Sequence, residues 1–406
     1  AYLFASDAGG FGDDGSENVI KCGSFTGNAT VDVGFEPQWV MVKRTDNIGN
    51  WFMQDNMRGI PTGGIDATLF ANLSNAENSN SDRIDLTATG FSAKYGTGSE
   101  TYIYIAIRRP MKTPESGTEV FSPNATTTFP ATMTTGFPVD LTMTRTRTAL
   151  NYFFTGDRLR GNTKYLTTAT TNAEATFGAG NEWLLDSNTT ITQQNSTGSV
   201  INYNFKRATG FMDVVAYSGT GSATTQAHNL GVVPELMIVK RRNAAINWHV
   251  YSADVGNTST MYLDLANAPD ASVGYWNNTT PTSSVFTVGT TNGVNASGST
   301  YIAYLFATLA GVSKVGSYTG TGSNVNVDCG FSAGARWIMI KRTDSTGDWY
   351  VWDSVRGISA GNDPYLLLNS TAAEDTNTDY IDPLASGFTV TSSAPAALNA
   401  SGGTYI

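Results

Sequence analysis

The sequence predicts an all-β protein built from four tandem β-sandwich domains of the jelly-roll or lectin-like kind. Gly, Ser, Thr and Asn are abundant and only 14% of the residues are charged, a composition that favours β modules over helical ones. Short apolar segments are separated, roughly every 8 to 12 residues, by turn-forming clusters, as in two-sheet sandwiches. A third observation, the recurrence of one strand along the chain, sets the number of domains.

The strand-like segment "WVMVKR" at 39–44 recurs as "LTMTRT" at 141–146, "LMIVKR" at 236–241 and "WIMIKR" at 337–342. The stretch Trp39–Gly59 shares eleven of its twenty-one residues with Trp337–Gly357. Solenoid units span roughly 20 to 50 residues, so repeats of this length are predicted to fold as domains with their own cores. The alignment makes four cations equivalent, 95 to 102 residues apart: Lys43, Arg145, Lys240 and Lys341.

The repeats predict a division of the chain into five segments. They are the closing strand of an upstream repeat plus an acidic linker (1–20), repeat 1 (21–115), a diverged repeat 2 (116–213), repeat 3 (214–311) and a truncated repeat 4 (312–406). Residues 1–5, "AYLFA", match 303–307, and the sequence stops at "TYI", where the same strand would continue. We therefore expect a fragment of a longer chain, in which residues 1–5 close an upstream copy or complete the fourth copy by pairing with it.

Within a repeat, "WVMVKRTDNIGNWFMQD" predicts two strands around a short polar turn, with Gly49 or Gly347 supplying a positive φ. Both faces of the first strand are apolar, so a central strand covered on both sides is expected. Lys43 and Arg44 then mark where the strand reaches water. The second strand is predicted to begin at an aromatic residue in each copy: Trp51, Tyr152, Trp248 and Trp349.

A DxxRG motif occurs in three repeats, at Asp55 and Arg58, Asp157 and Arg160, and Asp353 and Arg356. A carboxylate at this spacing can accept hydrogen bonds from backbone N–H groups while the guanidinium reaches a carboxylate or carbonyls. The third repeat has Asp254 without the matching Arg, which favours a packing role over chemistry. Contact with an anion or a sugar hydroxyl is the alternative.

Tryptophans are the candidate ligand-binding residues, because sugar rings stack on aromatic faces. The candidates are Trp51, Trp248, Trp349 and Trp352. The first three begin the same strand in their copies, and this recurrence favours a position in the core. The counterpart of Trp352 in the first copy is Gln54, so Trp352 is the better surface candidate.

Charge and motif content exclude several functions. The net charge of -10 would repel a phosphate backbone, and no apolar run is long enough to cross a bilayer, so neither nucleic acid nor membrane is an expected partner. Only His228 and His249 are present, neither in a metal-ligand spacing, and no nucleophile elbow or phosphate loop occurs. We expect no enzyme and no cofactor, although two suitably placed carboxylates could still form a glycosidase.

His228 is interpreted as a hydrogen-bonded turn residue, and Cys22 and Cys329 as buried free thiols.

An acidic, glycine-rich loop at 6–18 is the one candidate metal site. It clusters Asp7, Asp13, Asp14 and Glu17, and such oxygen ligands could hold Ca²⁺. The loop lacks the full spacing of a calcium loop, so a solvated acidic linker is the preferred interpretation.

Segments such as "HNLGVVPELMIVKRR", "STYIAYLFATLAG" and "VKRTD" followed by "GNW" resemble repeat domains of virion proteins of tailed bacteriophages, especially marine phages. The resemblance covers the first, third and fourth copies closely and the second weakly. It implies a non-enzymatic virion component, assembled in the host cytoplasm, most simply a tail fibre or appendage that serves host attachment or acts as a spacer. Expected partners are other virion proteins, a host surface glycan and further copies in a homo-oligomer.

Two other functions remain open from the sequence. One is a multivalent carbohydrate-binding repeat array of a bacterial surface adhesin or secreted protein. The other is a depolymerase spike. For the virion component, independent sandwiches joined by short linkers would form a long, stiff rod.

Overall fold

The computed structural model describes residues 3–12 and 14–406, and it confirms an all-β fold of several sandwiches. We define four modules by their strands: module 1 (20–108), module 2 (121–205), module 3 (212–306) and module 4 (313–406). Modules 1, 2 and 3 each combine a six-stranded sheet with a smaller sheet of two or three strands. Over the described residues, no helix is both long and apolar enough to span a membrane.

Module 1 contains β1 (Ile20–Thr26), β2 (Ala29–Asp32), β3 (Pro37–Arg44), β4 (Trp51–Asp55), β5 (Asp66–Phe70), β6 (Asn78–Ser81), β7 (Ile84–Thr87), β8 (Gly90–Ala93) and β9 (Thr101–Arg108). A 3-10 turn (Gly117–Glu119) precedes module 2, which contains β10 (Phe121–Thr126), β11 (Ala131–Thr134), β12 (Leu141–Thr146), β13 (Phe154–Asp157), β14 (Lys164–Thr167), β15 (Ala175–Thr176), β16 (Trp183–Leu184), β17 (Thr190–Gln193) and β18 (Val200–Phe205).

Module 3 contains β19 (Met212–Ser218), β20 (Thr224–Ala227), β21 (Leu236–Arg241), β22 (His249–Ser252), β23 (Ser259–Tyr262), β24 (Asp270–Ala271), β25 (Val285–Val288), α1 (Asn292–Asn295) and β26 (Thr300–Phe306). Module 4 contains β27 (Tyr318–Thr319), β28 (Val325–Asp328), β29 (Trp337–Lys341), β30 (Trp349–Asp353), β31 (Leu366–Leu367), β32 (Ile381–Leu384), β33 (Gly387–Val390), α2 (Ala396–Asn399) and β34 (Thr404–Tyr405).

The larger sheets of modules 1, 2 and 3 have the same strand order, in which the last strand lies between the first and third strands. The orders are β1-β9-β3-β4-β5-β6, β10-β18-β12-β13-β14-β15 and β19-β26-β21-β22-β23-β24. In module 4 the corresponding strands form two separate pieces, β27-β34 and β29-β30-β31. The smaller sheets are β2-β8-β7, β11-β17-β16, β20-β25 and β28-β33-β32.

The central strand of the larger sheet in module 3 is apolar on both faces because both faces are covered. In module 3, Met237 and Val239 of β21 pack into the sandwich core, whereas Leu236 and Ile238 point to the opposite side of the sheet. This alternation follows from the period-2 geometry of a strand and confirms the prediction of a central strand covered twice.

The outer sheet faces of modules 2, 3 and 4 pack against one another. Modules 2, 3 and 4 each have a separate sandwich core, but a further apolar cluster runs through all four modules, from Phe25 through Tyr203 and Ile302 to Trp349. The expectation of a rod of independent sandwiches is therefore wrong. In modules 2, 3 and 4 the second face of the sheet buries more apolar surface by contacting a neighbouring module than it would along a rod.

The strand registers fix which residues are equivalent. Lys43 lies opposite Trp51 and Lys341 opposite Trp349, and the ladders of modules 2 and 3 place Arg145 and Lys240 at the same position. The predicted equivalence of the four cations is thus confirmed. The register also corrects one assignment, because the aromatic residue equivalent to Trp51 in module 2 is Phe153 and not Tyr152.

The turn glycines have a different role from the one predicted. Neither Gly49 nor Gly347 has a positive φ, so that prediction is wrong. A Cβ added at Gly347 would lie 2.9 Å from the Cβ of Arg342, and a Cβ at Gly49 would lie 3.3 Å from that of Arg44. The glycines therefore relieve crowding within the hairpin and do not supply a special backbone conformation.

Candidate assembly interface

Three of the four equivalent cations are fully buried, namely Arg145, Lys240 and Lys341. The strand was predicted to reach water at Lys43 and Arg44, and both of these residues are half-buried. Burial lowers the pKa of both Lys240 and Lys341 to about 8 and that of Arg145 to about 10. These charges are held by main-chain carbonyls.

Each buried cation reaches into a different module. Lys240 Nζ donates to the carbonyl of Thr171 in module 2 at 2.8 Å, and Lys341 Nζ donates to the carbonyl of Ala266 in module 3 at 3.1 Å. Arg145 Nη1 donates to the carbonyl of Leu367 in module 4 at 2.6 Å. Module 3 thus contacts module 2, module 4 contacts module 3, and module 2 contacts module 4.

A main-chain hydrogen bond accompanies each of these contacts, and its donor lies six residues after the cation. The bonds are Ile246 N to Thr171 O (2.8 Å), Gly347 N to Ala266 O (2.9 Å) and Asn151 N to Thr371 O (3.0 Å). One head-to-tail contact is therefore used three times and returns to its starting module. Modules 2, 3 and 4 form a closed ring with a threefold-like arrangement.

Two of the candidate ligand-binding tryptophans are anchors of this ring. Trp248 Nε1 donates to the carbonyl of Thr167 at 3.0 Å, and Trp349 Nε1 donates to the carbonyl of Tyr262 at 2.8 Å. Both indoles are buried, so neither can stack on a sugar as placed. Their recurrence reflects packing, as the sequence suggested, but the packing is between modules.

Trp352 lies in the sandwich core of module 4, so the prediction that it is a surface residue is wrong. Its ring stacks on Tyr350 with the centroids 5.8 Å apart. The equivalent Gln54 is also buried, and its Oε1 accepts a hydrogen bond from the hydroxyl of Tyr95 at 2.8 Å. A polar residue in one copy therefore did not indicate exposure in another.

The DxxRG residues form the three predicted pairs, in which each Arg Nε donates to the Asp carboxylate. The pairs are Asp55–Arg58, Asp157–Arg160 and Asp353–Arg356. In each pair the other carboxylate oxygen accepts the backbone N–H of the Arg at 2.9 Å. The motif therefore closes its own turn, which is the structural role that the spacing predicted.

Sequence reasoning missed a second role of the motif, which is to bind a tyrosine of the next module. Tyr304 of module 3 donates to Asp157 Oδ2 at 2.8 Å and accepts from Arg160 Nη2 at 3.1 Å. Tyr203 of module 2 meets Asp353 and Arg356 in the same way, at 2.9 Å each. Burial raises the pKa of both tyrosines well above the usual value. The shared tyrosine of "VINYNF" and "STYIAYLF" was the available signal.

Asp254 was predicted to be the Asp of an incomplete DxxRG motif in the third repeat, and the strand register shows that this assignment is wrong. The register places Ser252 at the Asp position, and the Arg position falls at Val255. Asp254 is exposed and accepts a hydrogen bond from Ser317 at 3.1 Å. It is therefore not the counterpart of Asp55.

Two loop carboxylates strengthen the ring contacts. Glu174 of module 2 accepts two hydrogen bonds from Arg242 of module 3, at 2.9 and 3.0 Å. Glu374 of module 4 accepts equivalent bonds from Arg147 of module 2, the shortest at 2.8 Å. Such two-pronged contacts fix the orientation of the partners as well as holding them together.

Module 1 has corresponding interface residues but leaves them partly exposed. Ile103 is 43% exposed, whereas its equivalents Ile201 and Ile302 are fully buried. Trp51 is half-buried, and Arg58 bonds only within module 1, including a 3.0 Å contact with Glu77. Among the described residues, no tyrosine hydroxyl bonds to this pair. We call this surface the open face of module 1, defined by Trp39, Met41, Lys43, Trp51, Asp55, Arg58 and Ile103.

A different surface attaches module 1 to the ring. Arg207, between modules 2 and 3, donates to Glu36 of module 1 at 2.8 Å and to Asp213 at 2.7 Å, and Arg158 of module 2 donates to the carbonyl of Asn56 at 3.0 Å. These side chains are buried and balanced in charge, so removing one would leave its partners uncompensated. The open face is therefore not needed to hold module 1 in place.

The remaining candidate residues have ordinary roles. Asp7 pairs with Lys21, Glu17 pairs with Arg108 at 2.9 Å, and Asp14 accepts from Ser16, while Asp13 lies outside the described residues. Within 3–12 and 14–406, no group of three or more His, Cys, Asp or Glu side chains could hold a metal ion.

The histidine and cysteine predictions had mixed outcomes. His228 is a turn residue whose Nδ1 accepts the backbone N–H of Leu230 at 3.2 Å, as predicted. Burial lowers the pKa of His249 to about 3. Both cysteines are free, but Cys22 is exposed and Cys329 is half-buried, so the prediction of two buried thiols is wrong.

A model of the family described as "Domain of unknown function (DUF7483)" matches residues 1–110 and 181–406. The part left unmatched, 111–180, includes most of the ring-forming strands of module 2, the copy whose sequence has diverged furthest. A search of curated proteins found no match.

Proposed function

Because the chain belongs to the family of domains of unknown function DUF7483, whose description assigns no activity, we propose a function from the interface. The protein is a non-enzymatic structural component of a tailed-phage virion, within a tail fibre or related appendage. It acts there as an architectural spacer built by packing β modules of one kind against each other.

The single observation that carries this proposal is the contrast between the ring and the open face. Three modules bury the same sheet face against one another, and module 1 leaves that face partly exposed, with Ile103 43% exposed. An exposed apolar surface with charged groups at its edge is typical of a protein contact surface. The occupant with matching chemistry is a further module of this kind, which would supply a buried cation, an aromatic anchor and a tyrosine.

The position of the tryptophans supports a spacer over a multivalent glycan-binding array. Trp248 and Trp349 hold modules together, and Trp352 lies in a core. Trp51 remains half-buried on the open face, where an incoming module would cover it. An array needs one accessible site per repeat, and three of the four candidate tryptophans are buried.

Light scattering on the purified chain tests the assembly surface. We expect concentration-dependent association that the substitution Ile103→Lys abolishes, because it places a charge in the apolar contact. The matched control is Val273→Lys, at a position 58% exposed in module 3, which should leave association unchanged. A chain that stays monomeric at millimolar concentration would overturn the open face as an assembly surface.

Mass spectrometry of purified phage particles tests the virion assignment separately. We expect peptides of the chain in banded particles in stoichiometric amounts. Their absence from particles, with the protein present in the infected lysate, would overturn the virion role and would leave the assembly surface standing.

A further inference from the structure

Module 4 contains two Asp–Pro peptide bonds, and the structure places their carboxyl groups in different surroundings. Asp363, before Pro364, is fully buried, whereas Asp382, before Pro383, is half-buried on β32. A carboxyl group can attack the carbonyl carbon of its own residue, because rotation of one side chain brings the two together and closes a five-membered ring. The tertiary amide nitrogen of proline leaves more readily than an ordinary peptide nitrogen. An Asp–Pro bond is therefore more open than other peptide bonds to cleavage by its own side chain.

The carboxyl group of Asp363 retains a proton at a pH where an ordinary Asp has lost it. Its oxygens accept the backbone N–H groups of Tyr380 at 3.4 Å and Ile381 at 3.3 Å. Burial outweighs these two hydrogen bonds and raises the pKa of Asp363 to about 7, and the nearby Asp379 adds to the rise. At neutral pH about half of these carboxyl groups are therefore protonated, so the attacking group carries the proton that the leaving nitrogen needs.

The carbonyl group of Asp363 is held from the other side by Thr378. The backbone N–H of Asp363 donates to the carbonyl of Thr378 at 2.7 Å, and the buried hydroxyl of Thr378 donates back to the carbonyl oxygen of Asp363 at 3.3 Å. A hydroxyl in this position stabilises the negative charge that develops on the oxygen during attack. Asn362 is exposed and Pro364 is half-buried, so the bond itself lies close to water.

Module 1 has the same buried carboxyl group without the proline. The strand registers place Asp66 at the position of Asp363 and Ala67 at that of Pro364. Asp66 is also fully buried, accepts two backbone N–H groups at 2.6 and 2.9 Å, and has its pKa raised to about 7 by burial. The carboxyl group therefore serves the fold in both modules, and the proline is what distinguishes module 4.

We propose that module 4 cleaves its own backbone at the Asp363–Pro364 bond. A carboxyl oxygen of Asp363 forms a bond to the carbonyl carbon of the same residue, the carboxyl proton passes to the nitrogen of Pro364, and the C–N bond breaks. The products are a cyclic anhydride at Asp363 and a free secondary amine at Pro364. Water then adds to the anhydride and leaves Asp363 with two carboxyl groups, so water is the only reagent consumed.

The cut divides the part of module 4 that contacts module 2. Tyr203 binds Asp353 and Arg356 before the bond, whereas Arg145 donates to the carbonyl of Leu367 after it. The two pieces remain paired through β30 and β31, so the ring stays closed without a continuous backbone. This activity goes beyond the proposed spacer role and does not depend on it.

Mass spectrometry under denaturing conditions, after incubation of the purified chain near neutral pH, tests the proposal. We expect a piece that ends at Asp363 to accumulate at a rate that does not depend on protein concentration, because the reaction is intramolecular. Hydroxylamine should trap the anhydride as a hydroxamate at Asp363, a product that a contaminating protease specific for this bond would not give. A chain that stays intact, or a cut without the hydroxamate, would overturn the proposal.

Two other bonds of the chain are matched controls. Asp66–Ala67 has the buried carboxyl group without the proline, and Asp382–Pro383 has the proline without full burial, so both should stay intact under the same conditions. Pro364→Ala, which copies module 1, should abolish the cut, and its unfolding midpoint shows whether the variant is folded. Thr378→Val should slow the cut at least about ten-fold, because the carbonyl oxygen loses its hydroxyl donor.

The pH dependence separates this reaction from ordinary acid cleavage. Above pH 7 the rate at Asp363 should fall about ten-fold for each pH unit, as the carboxyl group loses its proton. The ionisable side chains that face Asp363 are Asp379 and Tyr380, and Tyr380 keeps its proton in this range because burial raises its pKa. A rate that does not change above pH 7, equal cleavage at Asp382–Pro383, or a cut that persists in folded Pro364→Ala would overturn the proposal.

Discussion

Module 1 and module 3 present the same sheet face in two environments. Ile103 lies opposite Lys43 in module 1, and Ile302 lies opposite Lys240 in module 3, yet the first side chain is 43% exposed and the second is fully buried. The residue type does not differ between them. What differs is the neighbouring module, so the role of this face is decided by what covers it.

The same contrast holds for the charged pair. Asp55 and Arg58 in module 1 are about one-fifth exposed, with side-chain values of 22% and 23%, whereas Asp157 and Arg160 in module 2 are sealed beneath Tyr304. Burial opposes the charge on Arg160, but the adjacent Asp157 outweighs this effect and raises the pKa of the guanidinium. The sealed pair is therefore sensitive to loss of either partner.

Replacing the arginine in each module gives the largest expected difference. Arg160→Ala leaves Asp157 buried without its cation and should lower the free energy of unfolding by about 3–5 kcal/mol. Arg58→Ala in module 1 should lower it by less than about 1 kcal/mol, because water can solvate Asp55. Urea unfolding, with amide hydrogen exchange to assign the loss to a module, measures both.

A double variant controls for the buried charge. Asp157→Asn with Arg160→Met removes both charges, and it should recover much of the stability lost in Arg160→Ala, because no ion remains unpaired. Equal losses for Arg58→Ala and Arg160→Ala would show that burial does not set the contribution of the pair, and the comparison between the modules would fail.

The sequence predicted the parts of this arrangement that lie within one repeat. The spacing of the four cations fixed their equivalence, and the spacing of Asp157 and Arg160 fixed their pairing. Contacts between repeats were not predicted, because periodicity shows which face a residue occupies but not which module lies against it. The meeting of Tyr304 with Asp157 is such a contact, because it depends on the ring. Trp352 was misplaced for another reason: its polar counterpart Gln54 suggested exposure, yet both residues are buried within their own modules.

The buried lysines of the ring predict a second, pH-dependent effect. The pKa of Lys240 and Lys341 is lowered to about 8, from 10.5, chiefly by burial. Above pH 8 the folded chain therefore holds fewer protons than the unfolded chain, so stability should rise with pH. Between pH 8 and 9.5 the free energy of unfolding should increase by about 1.5 kcal/mol for each lysine.

The predicted rise in stability ends near pH 9.5, because tyrosines of the unfolded chain begin to ionise above that pH. Tyr203 and Tyr304 keep their protons when folded, and ionisation of the unfolded tyrosines lowers stability at higher pH. Denaturant midpoints measured from pH 8 to 9.5 check the slope, and Lys341→Met should reduce it by about half. A slope that is unchanged in Lys341→Met would show that this lysine does not titrate in the window.

The smallest expected effect comes from removing one methyl group on each face. Ile302→Val should lower the free energy of unfolding by about 0.5–1.5 kcal/mol, because removing the methyl group leaves a cavity that the surrounding side chains cannot fill. Ile103→Val should cost no more than a few tenths of a kcal/mol in the monomer, because water already reaches the side chain. If the open face packs against another module, the cost of Ile103→Val should approach that of Ile302→Val as the chain associates. Unfolding measured at low and high protein concentration therefore separates a surface isoleucine from one that belongs to an interface.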